Sequence, residues 1–404
     1  MIVIAAILLL LMPTLSLLYS ALGLCRNPHD WRRYLPFLVI SIFVLAYAYV
    51  PTGTPDLVRY IEMSQRMQNM KLSQAISYMN DGLYVENLYF WIISKTGDYQ
   101  LLGAIPCTIV YTIAFYITCD TADRYGCQRK IPCYMIGQTM LLPWFSVLCN
   151  VRCVFAFSVI GFAAYLEYIK SKKNPFVWIL YILPCFIHVT GVVFLLFRLS
   201  LFITSKVQWF LSVLVALLPS IIDLLYSRVY SLPIGTVGQT LIKKVYWYFH
   251  DDLRSEFSQR ISNSLADRFS RYLFVGLAVC FALCILVQLN KCTRANRKYV
   301  TFLFLICIST VACYSVITPQ YWRFAAALVV CGFGPILMPI SNNDKRYGII
   351  CVAFVLIRIF CFAGLFIQIW KSRYIVDYID WAENFLLNNV FVILFEVVKS
   401  ICLY

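Results

Sequence analysis

The chain has 404 residues, of which 61% are hydrophobic and only 13% are charged, and its mean hydropathy is +0.77. A soluble globular domain carries about 25% charged residues, so this composition excludes that class and indicates a membrane protein. The net charge of +15 fits cytoplasmic Lys and Arg anchors and sites for anionic lipid or phosphate, so we expect no nucleic acid partner.

Apolar runs of about 20 residues recur along the chain and predict membrane-spanning helices, because the hydrocarbon core is roughly 30 Å thick. Backbone polar groups in lipid must be satisfied internally, which excludes open strands. We predict an all-α, polytopic integral membrane protein in which residues 1–404 form a single transmembrane domain. It has about ten to twelve transmembrane helices, short re-entrant or half-helices, and two external polar segments.

The first predicted span covers residues 2–24. We interpret it as a helix rather than a signal peptide, since it lacks a basic start and a clear cleavage site of small residues. Arg26, Arg32 and Arg33 follow it, and the positive-inside rule places them in the cytoplasm. Residues 34–51 then predict a span that returns to the outer side.

Residues 53–91 form a polar external segment between apolar runs. We expect an amphipathic surface helix near 57–79 and a half-helix at 85–95, which is too short to span the membrane. A long loop in a compact chain is usually functional or disordered, so this segment is a candidate site; the alternative is a loop that only joins helices. Its charged residues include Asp56, Arg59, Glu62, Arg66, Lys71, Asp81 and Glu86.

The next predicted spans are 101–119, 133–149 and 151–169, and they place Asn150 and Arg152 at the outer surface. Residues 175–203 are then interrupted at Pro184 and His188. We predict a hairpin of two short helices with His188 near its outer tip, because basic residues flank the run on both sides. A single long tilted span is the alternative.

Residues 226–270 form the second polar external segment, a basic loop that includes Lys243 and Lys244. Arg323 follows a short turn and lies at the outer rim. The remaining predicted elements are spans at 207–225, 272–289, 302–317, 324–339 and 347–369 and a last short helix at 390–403.

The external segments combine cationic groups with acid and base groups. Arginine binds phosphate oxygens in a bidentate manner, so the cations predict a diphosphate site. A sugar hydroxyl that attacks an anomeric carbon bearing a diphosphate needs a base for its proton and cations for the charge that grows on the leaving group. Aromatic side chains such as Tyr60 either stack on sugar rings or form the usual interfacial belt. The candidate cations are Arg59, Arg152, Arg323, Lys243 and Lys244, and the candidate bases are Asp56, His188 and Glu86.

Each of the main candidates has a structural alternative. Asp56 fits a helix cap, and Glu86 fits a carboxylate at a helix start. Arg152 fits a side chain that reaches lipid phosphate, Arg323 an interface anchor, and His188 a buried, hydrogen-bonded histidine at a helix break.

Cysteine and histidine spacing predicts neither a disulfide framework nor a metal site. Most of the 17 cysteines lie inside apolar runs, where a free thiol behaves as a small hydrophobe, and we expect no disulfide between Cys149 and Cys153. The three histidines are dispersed along the chain. We therefore expect no essential metal and no cofactor.

Five sequence runs together resemble the EpsG family of Wzy-like bacterial polysaccharide polymerases. Asp56 with Tyr60, then Glu86, Arg152, His188 and Arg323 match the family's motif positions in order. The chain departs from the pattern at Asn87, where proline is usual, and in the Thr-Pro pair before Asp56. The runs are GTPDLVRY (53–60), YVENLYFWI (84–92), NVRCVFAFSVIGFAAY (150–165), FIHVTGVVFLL (186–196) and PQYWRFAAALVV (319–330).

The resemblance implies a GT-C-like glycosyltransferase of the bacterial inner membrane that polymerises undecaprenyl-diphosphate-linked repeat units at the outer face, for O-antigen, capsule or exopolysaccharide. Its partners would be that lipid-linked glycan, membrane lipid, a chain-length regulator and a flippase. Arg152 and Arg323 are then expected on the diphosphate, supported by Arg59 or by Lys243 and Lys244. Two other functions stay open: a glycan ligase that uses the same donor, and a non-enzymatic transporter of lipid-linked sugars.

Overall fold

A computed structural model describes residues 2–51, 56–78, 82–203, 264–289, 293–315, 320–341 and 348–372, with the isolated positions 210, 235, 239, 377 and 381. Every regular element within these residues is helical, which confirms the all-α prediction. The predicted elements at 207–225 and 390–403 and nearly all of the loop at 226–263 lie outside the described residues.

The helices fall into two groups along the chain. The first group is α1 Ile2–Leu11, α2 Pro13–Arg26, α3 Trp31–Tyr47, α4 Asp56–Met67, α5 Leu72–Ile76, α6 Tyr84–Thr96, α7 Leu101–Tyr125, α8 Ile131–Leu141, α9 Trp144–Cys149, α10 Cys153–Ala164, α11 Pro175–Ile182 and α12 Gly191–Ser200. The second group is α13 Leu265–Leu289, α14 Arg294–Ala312, α15 Gln320–Ser341 and α16 Gly348–Ser372.

Among the residues that the structure describes, four helices are long and apolar enough to cross a membrane: Leu101–Tyr125, Leu265–Leu289, Tyr321–Ile340 and Gly348–Trp370. The protein is therefore a multi-pass membrane protein. The apolar window of α15 is 89% buried inside the protein, whereas that of α16 is only 28% buried. Thus α15 is a central helix, and most of the apolar window of α16 is not covered by the described residues. The total of about ten to twelve spans stays a prediction.

The prediction of one continuous span over residues 2–24 is wrong. The chain leaves the helical conformation at Met12, and a new helix begins at Pro13. Ser16 Oγ donates to the carbonyl of Ala5 at 3.0 Å, so α1 and α2 fold back on each other. The cause is Pro13, which disfavours helical geometry in the residue before it.

The predicted span over residues 133–149 is also interrupted, at Leu142 and Pro143, where α8 ends and α9 begins. The side chain of Tyr111 donates to the carbonyl of Leu142 at 3.0 Å. A backbone carbonyl that leaves a helix at membrane depth needs such a partner, so Tyr111 stabilises the break.

The predicted cytoplasmic ends of several helices meet at one end of the bundle, here called the basic end. The Trp31 indole donates to Asp123 at 2.9 Å, and Asn296 donates to the Tyr125 hydroxyl at 3.5 Å. Since Lys and Arg concentrate on the cytoplasmic side, the positive-inside rule predicts that this end faces the cytoplasm. Basic residues here include Arg26, Arg32, Arg33, Arg124, Arg129, Lys130, Lys170, Lys172 and Lys173.

The opposite end of the bundle, here called the outer end, gathers the residues that we predicted to lie outside. Tyr47 at the end of α3 donates to Asp98 at 2.7 Å, just before α7 begins. Tyr49 lies 3.6 Å from the thiol of Cys149, at the end of α9. The end of α3, the start of α7 and the end of α9 therefore lie at the same end of the bundle.

Small side chains let the central helix approach its neighbours closely, as is common between membrane helices. A Cβ atom added at Gly161 of α10 would lie 2.3 Å from the Cys331 sulfur of α15. A buried amide also links the core: Gln138 donates to the carbonyl of Val329 at 3.1 Å and accepts from Thr118 at 2.9 Å. These contacts position α15, which begins at the outer end.

We expect Gly161→Ala to destabilise the protein by about 1–3 kcal/mol, because an added methyl overpacks the contact with Cys331. A second change, Cys331→Ala, removes the clashing sulfur and should restore much of the loss. Thermal unfolding in detergent measures both. Gly348→Ala is the matched control, since an added Cβ there meets no atom of the described residues within 4 Å. Equal stability of Gly161→Ala and wild type would contradict the close approach.

Candidate functional site

Three side chains from separate segments meet at the outer end and form what we call the arginine cluster: Tyr60, Glu86 and Arg152. Arg152 Nη1 donates to Glu86 Oε1 at 2.6 Å, and Arg152 Nε donates to the Tyr60 hydroxyl at 3.0 Å. The guanidinium carbon lies 4.6 Å from the centroid of the Tyr60 ring. Arg152 therefore has an ion pair, a hydrogen bond and a cation–π contact within one cluster.

The amphipathic helix α4 delivers Tyr60 to this cluster. Its buried residues Leu57, Tyr60, Ser64 and Met67 recur at helical spacing and share one face. Ser64 Oγ donates to the carbonyl of Phe90 in α6 at 2.7 Å. The predicted surface helix is thus present, although shorter than 57–79, and it packs along the helix that carries Glu86.

Glu86 lies in the first turn of α6, and the next residue, Asn87, secures that turn. The Asn87 amide donates to the carbonyls of Ile76 and Tyr78, at 3.2 and 2.9 Å. Asparagine at this position therefore has a structural role that proline could not perform, because proline has no side-chain donor. The half-helix predicted at 85–95 corresponds to α6.

The cluster is largely shielded from water: Glu86 is 2% exposed and the Arg152 side chain 18%. Burial raises the pKa of the Tyr60 phenol above its usual value, although the nearby Arg152 charge opposes this shift. Burial alone would lower the pKa of Arg152, but Tyr60 and Glu86 raise it above its usual value. The centre of the cluster is therefore a permanent cation beside a neutral phenol.

Asp56 and Arg59 lie at the exposed edge of the cluster. Arg59 Nη2 is 3.2 Å from Asp56 Oδ1, and it also donates to the Tyr60 hydroxyl at 3.5 Å. The two side chains are 39% and 58% exposed, so water reaches this edge. Arg59 and Arg152 thus approach the same phenol, and Asp56 joins the group through Arg59.

His188 lies at the tip of the predicted hairpin, whose two short helices α11 and α12 are both present. It is buried, and its Nδ1 forms a hydrogen bond with the Thr190 hydroxyl. Its ring packs edge-on against Phe157 of α10 at 6.0 Å, one turn beyond Arg152. Phe186 stacks on Tyr84 at 6.2 Å, so the tip also touches the start of α6.

Arg323 occupies the first turn of α15 and is half-buried. The next residue, Phe324, packs on Phe157 with ring centroids 5.4 Å apart. Because Phe157 also contacts His188, the starts of α10 and α15 and the hairpin tip share one end of the bundle. The packing of Phe324 on Phe157 connects the start of α15 with the helix that follows Arg152.

A second group of acid, arginine and tyrosine was not predicted from the sequence. Tyr321 donates to Asp267 Oδ1 at 2.9 Å, and Arg271 Nη2 lies 3.3 Å from Asp267 Oδ2. The one available signal was the helical spacing of Asp267 and Arg271, four residues apart. This group fixes the start of α15, two residues before Arg323.

A small apolar cavity lies between α9, α13, α15 and α16, on the side of Trp322 rather than beside the arginine cluster. Its wall includes Trp144, Phe274, Trp322 and Gln368. The cavity wall therefore includes Trp322, the residue before Arg323 in the sequence. It includes none of the arginine-cluster residues Tyr60, Glu86 and Arg152.

Only some of the remaining predicted features fall on residues that the structure describes. Lys243 and Lys244 lie outside the described residues. Cys149 and Cys153 are not joined by a disulfide. Among the residues that the structure describes, no group of three or more His, Cys, Asp or Glu side chains is placed to hold a metal ion.

The arrangement offers fixed positive charge, hydrogen-bond donors and an exposed carboxylate at one end of the bundle, which suits an anionic substrate with oxygen-rich groups. Arg152 uses Nε and Nη1 within the cluster, and a guanidinium carries five N–H donors in all. Comparison with known proteins adds no family: no family model, no curated protein and no solved structure matches this chain.

Proposed function

We propose that this protein is an inner-membrane glycosyltransferase, with a GT-C-like architecture, that polymerises undecaprenyl-diphosphate-linked oligosaccharide repeat units at the outer face. The product is O-antigen, capsular polysaccharide or exopolysaccharide. The observation that supports the proposal is the arginine cluster: Arg152, Glu86 and Tyr60 come from three of the five sequence runs that resemble the EpsG family, and they meet in space. A chain-length regulator and a flippase are the expected protein partners.

In this mechanism Arg152 and Arg323 bind the diphosphate of the donor, with Arg59 at the exposed edge. The hydroxyl oxygen of the acceptor sugar attacks the anomeric carbon of the donor. The bond from that carbon to the diphosphate oxygen breaks, and undecaprenyl diphosphate leaves with the bonding electrons. Arginine is suited to this role because its charge persists through the reaction and its planar donors match two phosphate oxygens.

Three groups are candidates for the base that takes the hydroxyl proton. Asp56 comes first because it is partly exposed, at the edge that water reaches. His188 comes second, since it is buried and hydrogen-bonded to Thr190. Glu86 comes third, because its close ion pair with Arg152 engages the carboxylate and suits it better to orienting the arginine.

Reconstitution tests the proposed activity most directly. Purified protein in lipid vesicles receives a synthetic lipid-linked repeat unit, and the products are separated by length. A ladder of products supports a polymerase. Transfer of one glycan only, and only when a different final acceptor is added, would indicate a ligase. Movement of the lipid-linked unit across the bilayer without new glycosidic bonds would indicate a transporter.

We expect Asp56→Asn and Asp56→Ala each to lower the turnover rate by about 100-fold or more, the usual contribution of a general base, with little change in donor binding. Glu62→Gln, at an exposed position on the same helix, is the control and should keep full activity. Near-normal turnover in both Asp56 variants would leave Asp56 with only a helix-capping role.

A further inference from the structure

A second buried arginine, Arg198, lies near the basic end of the bundle, away from the arginine cluster. It makes a bidentate ion pair with Glu167: Nε to Oε2 at 3.1 Å and Nη2 to Oε1 at 2.7 Å. Tyr181 donates to the same carboxylate at 2.8 Å. The arginine is only 2% exposed, so its charge is held inside the protein beneath the cytoplasmic surface.

Two polar atoms beside this ion pair are buried and have no hydrogen-bond partner in the part of the chain that the structure describes: Arg198 Nη1 and the Tyr168 hydroxyl oxygen. Leaving such groups unsatisfied forfeits their hydrogen bonds to water without a replacement, which destabilises the folded protein. Native proteins rarely do so without a bound water or ion. Both atoms can donate a hydrogen bond, so the missing partner is an acceptor.

The backbone around Tyr168 is unusual in a way that fits a binding site. The amide of Lys170 donates to the carbonyl of Tyr165 at 3.1 Å, a spacing of five residues, so residues 165–169 form a wide helical turn. Such turns occur frequently at functional sites. Here the turn carries both Glu167 and Tyr168 toward α12.

A further cation and aromatic walls complete the group. The Arg198 guanidinium carbon lies 4.1 Å from the ring of Trp178 and 4.3 Å from that of Phe202. Lys298 Nζ lies 5.7 Å from the rings of both Phe202 and Tyr168. Phe202 is therefore in contact with both cations.

The charges in this group do not balance. Glu167 neutralises Arg198, and Lys298 leaves an excess of one positive charge. Phe202 and Trp178 are 62% and 40% exposed. An exposed aromatic side chain changes rotamer on a picosecond to nanosecond timescale, so Phe202 can swing away from Arg198 Nη1.

We propose that Arg198, Tyr168 and Lys298 bind the phosphate group of an anionic phospholipid from the cytoplasmic leaflet. Basic pockets between helices on that side are suited to such headgroups, and anionic lipid is concentrated there. Arg198 Nη1 and the Tyr168 hydroxyl supply hydrogen bonds, Lys298 supplies the net charge, and Trp178 and Phe202 contact the lipid chain. This site is separate from the proposed activity and does not depend on it.

Thermal unfolding of the full-length, delipidated protein in detergent tests the site. Short-chain phosphatidylglycerol should raise the melting temperature in a saturable way, whereas net-neutral phosphatidylcholine should not. Lys298→Gln and Tyr168→Phe should each raise the apparent Kd for phosphatidylglycerol about tenfold. This is the usual effect of losing one charge-assisted or buried hydrogen bond. Both are mild changes that leave the Arg198–Glu167 pair intact.

Arg297→Gln is the matched control: it removes the same charge from an exposed position next to Lys298, and the Kd should not change. Inorganic phosphate, titrated in parallel, distinguishes a lipid headgroup from soluble phosphate as the ligand. If phosphate raises the melting temperature as much as phosphatidylglycerol at equal concentration, the site binds soluble phosphate and the lipid assignment is wrong. The proposal is overturned if Lys298→Gln and Tyr168→Phe bind phosphatidylglycerol as wild type does, or if the two lipids protect equally.

Discussion

Replacing Arg152 by alanine should abolish long polymer and leave single lipid-linked repeat units in the membrane. Arg152 is the buried cation of the arginine cluster, bonded to Glu86 and Tyr60, and its loss removes both a diphosphate ligand and the partner of a buried carboxylate. Arg323→Ala should have the same effect through loss of the second cation. Product length in cells that depend on each variant for their polysaccharide is the measurement.

Arg152→Lys separates the role of Arg152 in binding the diphosphate from its role in stabilising the fold. It keeps the positive charge beside Glu86 but loses the planar donors that bind two oxygens at once, so we expect activity to fall on the order of 100-fold, because roughly two charge-assisted bonds are affected. Arg66→Gln, at an exposed position on α4, controls for charge and should make normal polymer. Full-length polymer from both Arg152→Ala and Arg323→Ala would remove the diphosphate assignment.

The second large effect concerns stability. Glu86→Ala leaves the Arg152 charge buried without its carboxylate, and breaking a buried ion pair in this way costs about 3–5 kcal/mol. Removing both partners should be less harmful than the two single losses predict, since contacting residues are not additive. Thermal unfolding of Glu86→Ala, Arg152→Ala and the double variant measures this coupling.

The matched control for Glu86 is Asp56→Ala, which breaks an exposed ion pair with Arg59 and should change stability by no more than about 1 kcal/mol. Additive losses in the double variant, or equal losses for Glu86→Ala and Asp56→Ala, would mean that the buried pair is not an energetic unit.

The sequence predicted well those features that depend on local patterns. Hydropathy identified the long apolar helices, and the polar, amphipathic residues after Asp56 predicted α4. Pro184 and His188 indicated a hairpin, which is present. The breaks at Pro13 and Pro143 were missed because apolar residues continue on both sides, and a proline is tolerated at membrane depth when another group, such as Tyr111, satisfies the freed carbonyl.

The partners within the site were harder to predict, because they depend on how distant segments pack. The motifs nominated Asp56 as the first candidate base, His188 as the second and Glu86 as the third. No local pattern indicates that Glu86, rather than Asp56, meets Arg152, 66 residues later in the chain. The sequence did not predict the ion pair of Glu167 with Arg198 for the same reason. Glu167 and Arg198 each lie near the end of an apolar run, and each resembles an ordinary charged residue that flanks a span on the cytoplasmic side.

The most direct measurement is binding of undecaprenyl diphosphate to the purified full-length protein in nanodiscs. If Arg152 and Arg323 hold the diphosphate, wild type should bind this lipid more tightly than undecaprenyl monophosphate, and Arg152→Lys and Arg323→Gln should each weaken diphosphate binding by roughly tenfold or more, with Arg66→Gln unchanged. Equal affinity for the two lipids, or diphosphate binding that survives both arginine changes, would contradict the account.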